Sequence, residues 1–342
     1  MDSVIGCRIT GATHVRVNKV CQDYYKIVNQ SEYTIMAVAD GHGSSSCPYS
    51  DDGSRIATRE FCRLLDTYFE QYRADENSIE SLEGFLRKEG MLSFAKQVER
   101  EWKRHVIEWH MKNAREIPEG EDKQVIASKI HLQYGTTLVG LMVTESFVFA
   151  FQLGDGDITY IDAHHTKPLI EPDKFLGVET HSLSKNDAWK KAVSGVFKRD
   201  ITESSPCLYM MTTDGMANSY RSASDFYKAC TDYYALFQNM PMPEADEKTD
   251  EPSETPSTQN DTDTKVVDLQ SPLLNPKSEK DEKEPLQTVM SQEVTSRKNE
   301  PDEHEKVETG IGYLQRNLPA WLEATSREGC GDDITVVFYY HE

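Results

Sequence analysis

Acidic residues stand at the ends of several apolar segments of this sequence. One segment, 33–39, runs directly into Asp40-Gly41-His42-Gly43. Three more acidic groups flank the apolar segments 146–153, 208–213 and 334–340: Gly154-Asp155-Gly156-Asp157, Asp214-Gly215 and Asp332-Asp333. A single Asp-Gly after an apolar run is most often a hairpin turn, because glycine supplies a positive φ and aspartate caps the turn. Four such places on strands of one core would instead gather carboxylates along one edge of it.

Carboxylates that lie together repel one another, and the pKa of each rises unless a cation lies between them. The sequence favours a hard cation, since no His/Cys pair has the spacing of zinc ligands. We interpret His164, His165, His105 and His110 as surface or core residues. Mg²⁺ or Mn²⁺ is therefore predicted, and two such ions about 4 Å apart are suited to phosphoryl chemistry. Gly41 lacks a Cβ, which would let its carbonyl approach a metal or its water.

Apolar patterns predict the elements that position these residues. Strand-like runs cover Thr34–Ala39, Thr137–Thr144, Ser146–Leu153, Ile158–Ala163, Leu208–Thr213 and Ile334–Tyr340. Apolar side chains recur every three or four residues between Met91 and Trp109, which indicates an amphipathic helix. A second helix is expected from Gly312 to about Thr325. Antiparallel strands with helices grouped apart from them predict a layered architecture of the α+β class.

One acidic segment interrupts this pattern. Residues 241–308 hold 19 acidic and 8 basic residues, and no aromatic residue occurs between Phe237 and Tyr313. Such a composition cannot bury enough apolar surface to offset the entropy of ordering, which predicts a disordered insertion. A strand after the insertion must pair with strands made much earlier. We therefore expect a single domain over 1–342, with ordered parts 1–240 and 309–342.

Charge and cysteine content exclude several classes of protein. The formal charge of the 342 residues is −21, which opposes attraction to nucleic acid or to an anionic membrane. No apolar run approaches the roughly 18 to 20 residues that span a bilayer, and no secretory signal is recognisable. The seven cysteines form no CxxC pair, which is typical of a reducing compartment. We expect a cytoplasmic monomer.

Six motifs in order resemble the metal-dependent protein phosphatase family, the protein phosphatase 2C type, and in detail its bacterial branch. They are NKVCQDYY (18–25), VADGHGSSS (38–46), YGTTLVGLMV (134–143), FQLGDGDITYI (151–161), MMTTDGMANS (210–219) and GCGDDITVVFYY (329–340). No single motif is decisive, but together they span nearly the whole chain. The resemblance implies a four-layer αββα sandwich, with two antiparallel sheets flanked by helices and a dinuclear metal site at one end.

The resemblance also implies roles for individual residues. Asp40 would bridge two Mg²⁺ or Mn²⁺ ions, and Gly41 would lend its carbonyl. Asp23, Asp214 and Asp332 match positions that hold the metals directly or through water, and Asp155 matches a ligand of a third, weaker metal. His42 matches the histidine proposed to protonate the leaving alkoxide. The implied reaction is direct attack of a metal-activated water on phosphoserine or phosphothreonine, and Thr136 and Thr137 are interpreted as structural.

Three positions depart from the family pattern. Asn18 stands where many members carry an arginine that grips the substrate phosphate, which leaves Arg16, Lys19 and Arg55 as candidates for that contact. Gln22 stands where many relatives have glutamate. Asn218 stands where members that hold a third metal through this loop have aspartate, so the sequence leaves open whether two or three ions bind.

Two other functions remain open at this point. Asp155-Gly156-Asp157-Ile158-Thr159 spells the D-x-D-x-T motif of haloacid-dehalogenase-type phosphatases, in which Asp155 would be the nucleophile of a parallel βαβ core. The second is a catalytically inactive phosphatase fold that binds phosphoproteins. The presence of all the metal-site aspartates favours an active enzyme. Its partners would be phosphorylated proteins, targets of serine/threonine kinases.

Overall fold

Two antiparallel sheets form the centre of the protein in the computed structural model, which describes residues 2–73, 78–171, 180–199, 205–238 and 310–342. The strands are β1 (Ser3–Ile9), β2 (Tyr24–Asn29), β3 (Tyr33–Ala39), β4 (Leu138–Thr144), β5 (Phe147–Leu153), β6 (Asp157–Ile161), β7 (Thr166–Pro168), β8 (Val193–Lys198), β9 (Cys207–Thr212) and β10 (Ile334–His341). The helices are α1 (Ala12–Arg16), α2 (Ser50–Arg73), α3 (Ser78–Phe85), α4 (Met91–Lys112), α5 (Lys123–Leu132), α6 (Asp214–Ala217), α7 (Ala223–Phe237) and α8 (Gly310–Glu328).

Each sheet has five strands. The order in the first sheet is β1-β10-β9-β6-β7, and in the second it is β2-β3-β4-β5-β8. Every pairing among these strands is antiparallel. Consecutive strands β5 and β6 lie in different sheets, so the described chain contains no parallel βαβ core around Asp155. The haloacid-dehalogenase interpretation is therefore wrong.

Apolar side chains fill three layers between and outside the sheets. The sequence of strand β3 is apolar throughout because both faces of the strand are buried. Met36 and Val38 pack between the two sheets, while Ile35 and Ala37 pack beneath the helices. Helices α2 and α4 cover the second sheet, and α7 and α8 cover the first. The predicted α+β sandwich with αββα layers is confirmed.

The residues after the acidic segment complete the first sheet. Strand β10 lies between β1 and β9, with Val336 opposite Cys7 on one side and Thr212 on the other. Helix α8 packs against α7 and β1. The predicted insertion, 241–308, lies outside the described residues, and its disorder stays a prediction.

Four strands, all at sheet edges, were not expected from the sequence: β1, β2, β7 and β8. Strand β1 contains Gly6, and a Cβ at that position would clash with the ring of Tyr25 on β2, 2.8 Å from its Cδ2 atom. The glycine that weakens the strand pattern is thus required where the two sheets approach each other.

Among the described helices, none has the length and apolar content needed to cross a membrane.

Candidate functional site

The registers of the strands bring the predicted aspartates to one end of the sandwich. Tyr24 pairs with Ala39, so Asp23 and Asp40 stand side by side at that end of β2 and β3. Asp157 pairs with Thr212, which brings the loop after β5 next to the loop after β9. Strand β10 begins at the same end, because Ile334 pairs with Ile9 and Val336 with Thr212. These loops carry five acidic residues: Asp23, Asp40, Asp155, Asp214 and Asp332.

Two threonines hold the backbone of Asp40 in place. Thr136 Oγ1 donates a hydrogen bond of 2.8 Å to the Asp40 carbonyl oxygen, and the Asp40 amide donates to Thr137 Oγ1 at 3.0 Å. The amide of Thr137 also donates to the Asp40 carbonyl oxygen at 2.8 Å. Both threonines are buried. Their positions agree with the structural role that the sequence indicated for them.

Gly41 lies where only a glycine fits. A Cβ on this residue would lie 2.6 Å from the carbonyl oxygen of Ser50 and 2.8 Å from that of Gln22. Both obstacles are backbone atoms, which cannot move without displacing α2 or the start of β2. The Gly41 amide donates to the Gln22 carbonyl oxygen at 3.2 Å. The residue after Asp40 is therefore held close to the loop that carries Asp23.

The carboxylates interact strongly with one another. Burial raises the pKa of the Asp40 carboxyl well above its usual range, and four neighbouring carboxylates raise it further. The four belong to Asp23, Asp214, Asp332 and Asp155. Burial also raises the pKa of Asp23 to about 8, against the effect of a 2.6 Å hydrogen bond from Thr213 Oγ1. Such a cluster of carboxylates is stable in its ionised form only with a cation among them.

An unsatisfied oxygen atom supports the same conclusion. Asp155 Oδ2 accepts a hydrogen bond from Thr180 Oγ1 at 2.7 Å, but Asp155 Oδ1 is buried without a hydrogen-bond partner. A buried carboxylate oxygen without a partner costs free energy unless an ion or water completes it. All the converging ligand atoms are oxygens, which suits Mg²⁺ or Mn²⁺. The residues present therefore fit the hard divalent ions expected from the sequence.

Asn218 contacts the site through Asp214. Its Nδ2 atom donates a hydrogen bond of 2.9 Å to Asp214 Oδ2, one helical turn away along α6. An aspartate at this position would add a negative charge beside Asp214, whereas the amide adds none. Asn218 thus orients one oxygen of Asp214 instead of adding a carboxylate to the cluster.

His42 lies at the edge of the cluster. Its amide donates to the carbonyl oxygen of Gly135 at 3.1 Å. Its ring packs against Gly135, where a Cβ would lie 2.6 Å from His42 Cδ2. The imidazole is partly exposed.

The sequence placed Asp333 among the acidic residues at strand ends but assigned it no role, and it did not identify His14 as part of this site. Asp333 is 3% exposed, and its Oδ1 accepts hydrogen bonds from the Gly11 amide at 2.7 Å and from His14 Nδ1 at 2.8 Å. Its Oδ2 accepts from the Gln22 amide at 2.7 Å. His14 is 319 residues away along the chain, so no local spacing could have linked it to Asp333.

These two side chains lie close to that of Asp332. Within the described ranges, the side-chain donor atoms of His14, Asp332 and Asp333 lie within 4.8 Å of one another. Both oxygens of Asp333 already accept hydrogen bonds from backbone amides, and a carboxylate can only accept, so His14 Nδ1 carries the hydrogen. Asp333 therefore holds together the backbone at Gly11, the backbone at Gln22 and the side chain of His14. Asp332, in contrast, is exposed.

The three candidate cations for substrate phosphate lie in different places. Lys19 Nζ donates to the Gly43 carbonyl oxygen at 2.6 Å and lies 3.3 Å from His14 Nε2, so it is next to the loop that follows Asp40. Arg16 ends α1 and is exposed. Arg55 pairs with Asp52 and lies 4.3 Å from the centroid of the Trp109 ring. Of the three, Lys19 is the one that contacts the Asp40 loop.

Comparisons with known proteins found one family model and several similar structures. The family model described as protein phosphatase 2C matches residues 10–247. A bacterial serine phosphatase matches with a TM-score of 0.50 and 11% identity, over 100% of this chain and 98% of that chain. The S. agalactiae serine/threonine phosphatase matches with a TM-score of 0.49 and 12% identity, over 100% of both chains. The catalytic domain of the serine/threonine phosphatase PstP, solved in complex with two manganese ions, matches at 0.47 and 9%, over 100% and 99%.

A search of curated proteins found no match. The structural likeness to the bacterial serine phosphatase shows a common fold at low identity. The family match covers more than half of the sequence and includes the segments that carry Asp23, Asp40, Asp155 and Asp214. The chain belongs to the protein phosphatase 2C family.

Proposed function

We propose that the protein is a metal-dependent phosphatase that hydrolyses phosphoserine and phosphothreonine in proteins. The observation that supports this most directly is the convergence of carboxylates on Asp40, each of which raises its pKa. Five acidic side chains gathered at one end of the sandwich destabilise a fold, and a cation-dependent reaction is an economical reason to keep them. The family membership makes phosphoryl transfer the reaction to expect.

The aspartates would share the work of holding two ions. Asp40, whose pKa is raised by the other four carboxylates, would hold the ions together with the Gly41 carbonyl. Asp23, Asp214 and Asp332 would complete the two sites, and Asp155 would serve a third. When bound, Mg²⁺ or Mn²⁺ ions activate water as a nucleophile and neutralise charge on the phosphate oxygens.

Other side chains would orient the substrate and move its protons. The ammonium group of Lys19 would contact the substrate phosphate from the Asp40 loop, because it already lies there as a donor to Gly43. His42 would donate a proton to the seryl or threonyl oxygen as that oxygen leaves. Thr136 and Thr137 would keep Asp40 fixed through its backbone. Water is the nucleophile, so no side chain of the chain forms a covalent intermediate.

A phosphoprotein-binding module without activity is the second candidate. The same sequence and fold would serve such a module, but the phosphoprotein that it binds would remain phosphorylated. The aspartate set favours hydrolysis, because a binding module has no need for so many carboxylates at the same place. The two functions differ in whether phosphate is released.

A metal-dependence assay separates the two candidates. Phosphate release from a phosphothreonine peptide is measured with EDTA, Mg²⁺ and Mn²⁺, for the unmodified protein and for Asp40→Asn. We expect release only with the divalent ion, and its loss in Asp40→Asn by about a hundredfold or more. Asp162→Asn is the control, because Asp162 is not one of the site aspartates. It accepts hydrogen bonds from the amides of His164 and His165 in a loop after β6. Peptide binding without release, equal in both proteins, would replace the proposal with the binding module.

A further inference from the structure

A short segment beside the site exposes three valines. Val15, Val17 and Val20 are 61%, 70% and 62% exposed. They belong to one tight turn, in which the amides of Val17 and Lys19 both donate to the His14 carbonyl oxygen, at 3.1 and 3.0 Å. Ten large apolar side chains are exposed in the described part of the chain, and three of them fall within these six residues. We call Val15, Val17 and Val20 the valine face.

The turn is attached to two of the loops that carry site aspartates. His14 Nδ1 donates to Asp333, next to Asp332, and Lys19 Nζ donates to the Gly43 carbonyl oxygen, three residues after Asp40. The Thr13 amide donates to the Gly331 carbonyl oxygen at 2.9 Å. A polypeptide whose phosphorylated residue enters the site would therefore pass close to the valine face.

The segment that carries the valine face contains basic residues and no acidic residue of its own. No acidic residue occurs from Ser3 to Gln22, and this segment carries Arg8, Arg16 and Lys19. The chain as a whole has a formal charge of −21. An acid-free segment in so acidic a protein provides the approach that a phosphorylated substrate requires.

We propose, on the basis of the proposed function, that the valine face binds an apolar side chain next to the phosphorylated residue of a protein substrate. The phosphate and the apolar neighbour would then be bound on either side of Lys19. The valine face would make the enzyme selective for phosphorylated sites with a leucine, isoleucine or similar residue nearby. Three valines are too few for a stable dimer of the chain, which would bury about 800 Å² on each partner.

The test uses phosphothreonine peptides that differ only in one flanking residue. One leucine is moved from two positions before to two positions after the phosphothreonine, and a peptide with serine at all of these positions is the reference. We expect one leucine position to raise kcat/KM by roughly tenfold over the reference, which is the effect of burying one such side chain. Binding of the same peptides to Asp40→Asn, followed by fluorescence anisotropy, should show the same preference.

The matched variant replaces Val15, Val17 and Val20 together by threonine, which keeps their shape and replaces one methyl group of each by a hydroxyl. We expect the leucine preference to fall below about twofold in rate and in binding, while the serine reference peptide is hydrolysed as before. Val125→Thr with Val193→Thr is the control, since these valines are 37% and 49% exposed outside this segment. A leucine preference that survives in the triple variant, or is absent in the unmodified protein, overturns the proposal. Failure to hydrolyse any peptide would instead count against the proposed function.

Discussion

Asp332 and Asp333 are adjacent in the chain, but their carboxylates have different environments. Asp333 is buried and accepts hydrogen bonds from two backbone amides and from His14. Asp332 is exposed, and its Oδ1 accepts from the Asp333 amide at 2.8 Å. One aspartate therefore fixes the loop before β10, and the other faces the carboxylate cluster from that loop.

The first prediction compares the amide substitutions of these two residues. Asp333→Asn would place an NH₂ donor against amides that already donate, so we expect the free energy of unfolding to fall by about 2 kcal/mol. Asp332→Asn should change that free energy by less than about 0.5 kcal/mol, because the residue is exposed. It should weaken Mn²⁺ binding instead. Urea unfolding and Mn²⁺ titration calorimetry, both applied to both variants, measure these effects, and equal losses of stability would contradict the division of roles.

The second prediction concerns the stability of the metal-free protein at different pH values. The pKa of Asp23 is raised from an ordinary value of 3.8 to about 8, so between these values the folded chain binds a proton that the unfolded chain does not. Stability must then fall as pH rises through this window. We expect the Tm in EDTA to decrease from about pH 5 to about pH 8, and Asp23→Asn to flatten the decrease.

Divalent ions should reverse this dependence. A metal ligand must be deprotonated, so Mn²⁺ competes with protons for the carboxylates and binds better at the higher pH. The rise in Tm on adding Mn²⁺ should therefore be larger at about pH 8 than at about pH 5. Thermal unfolding followed by circular dichroism provides the measurement. A Tm in EDTA that increases over this range would show that Asp23 is not protonated in the folded protein.

The predictable part of this protein is the part that depends on local pattern. Strands β3, β4, β5, β9 and β10 are buried on both faces, and their apolar runs identified them within one or two residues. Strand β2 is half-buried and alternates poorly, and β8 carries Gly195 among partly exposed residues. Edge strands of this kind have weak patterns, because the partner strand and the covering helix supply most of their stability.

Candidate site residues also divide into those that a local pattern reveals and those that only tertiary contacts reveal. The aspartates follow or precede apolar strands, so their positions at one end of the sandwich could be inferred once the strands were known. The pairing of His14 with Asp333 joins residues 319 positions apart, and nothing in either neighbourhood points to the other. The choice among Arg16, Lys19 and Arg55 also required tertiary contacts, because an exposed and a paired arginine look alike in sequence.

The third prediction separates Lys19 from Arg55. Lys19→Met removes the ammonium group beside Gly43, so KM for a phosphopeptide and the inhibition constant of inorganic phosphate should both rise roughly tenfold. Lys19→Arg should retain part of this affinity. Arg55→Met removes the ion pair with Asp52 and the contact with Trp109, so it should lower the free energy of unfolding by about 1 kcal/mol with little change in phosphate inhibition. The opposite pattern would assign phosphate binding to Arg55.

The fourth prediction uses two glycines with different surroundings. At Gly41 an added Cβ would meet the carbonyl oxygens of Ser50 and Gln22 at 2.6 and 2.8 Å, so Gly41→Ala must displace backbone next to Asp40. We expect the free energy of unfolding to fall by about 2 kcal/mol and Mn²⁺ affinity to fall with it. Gly84, in α3, has no atom within 4 Å of an added Cβ, so Gly84→Ala should stabilise the helix by about 0.5–1 kcal/mol and leave Mn²⁺ binding unchanged. Urea unfolding measures the stability of the two variants, and titration calorimetry measures their Mn²⁺ affinity. A Gly41→Ala protein that binds Mn²⁺ normally would mean that the close approach at Gly41 serves the fold alone.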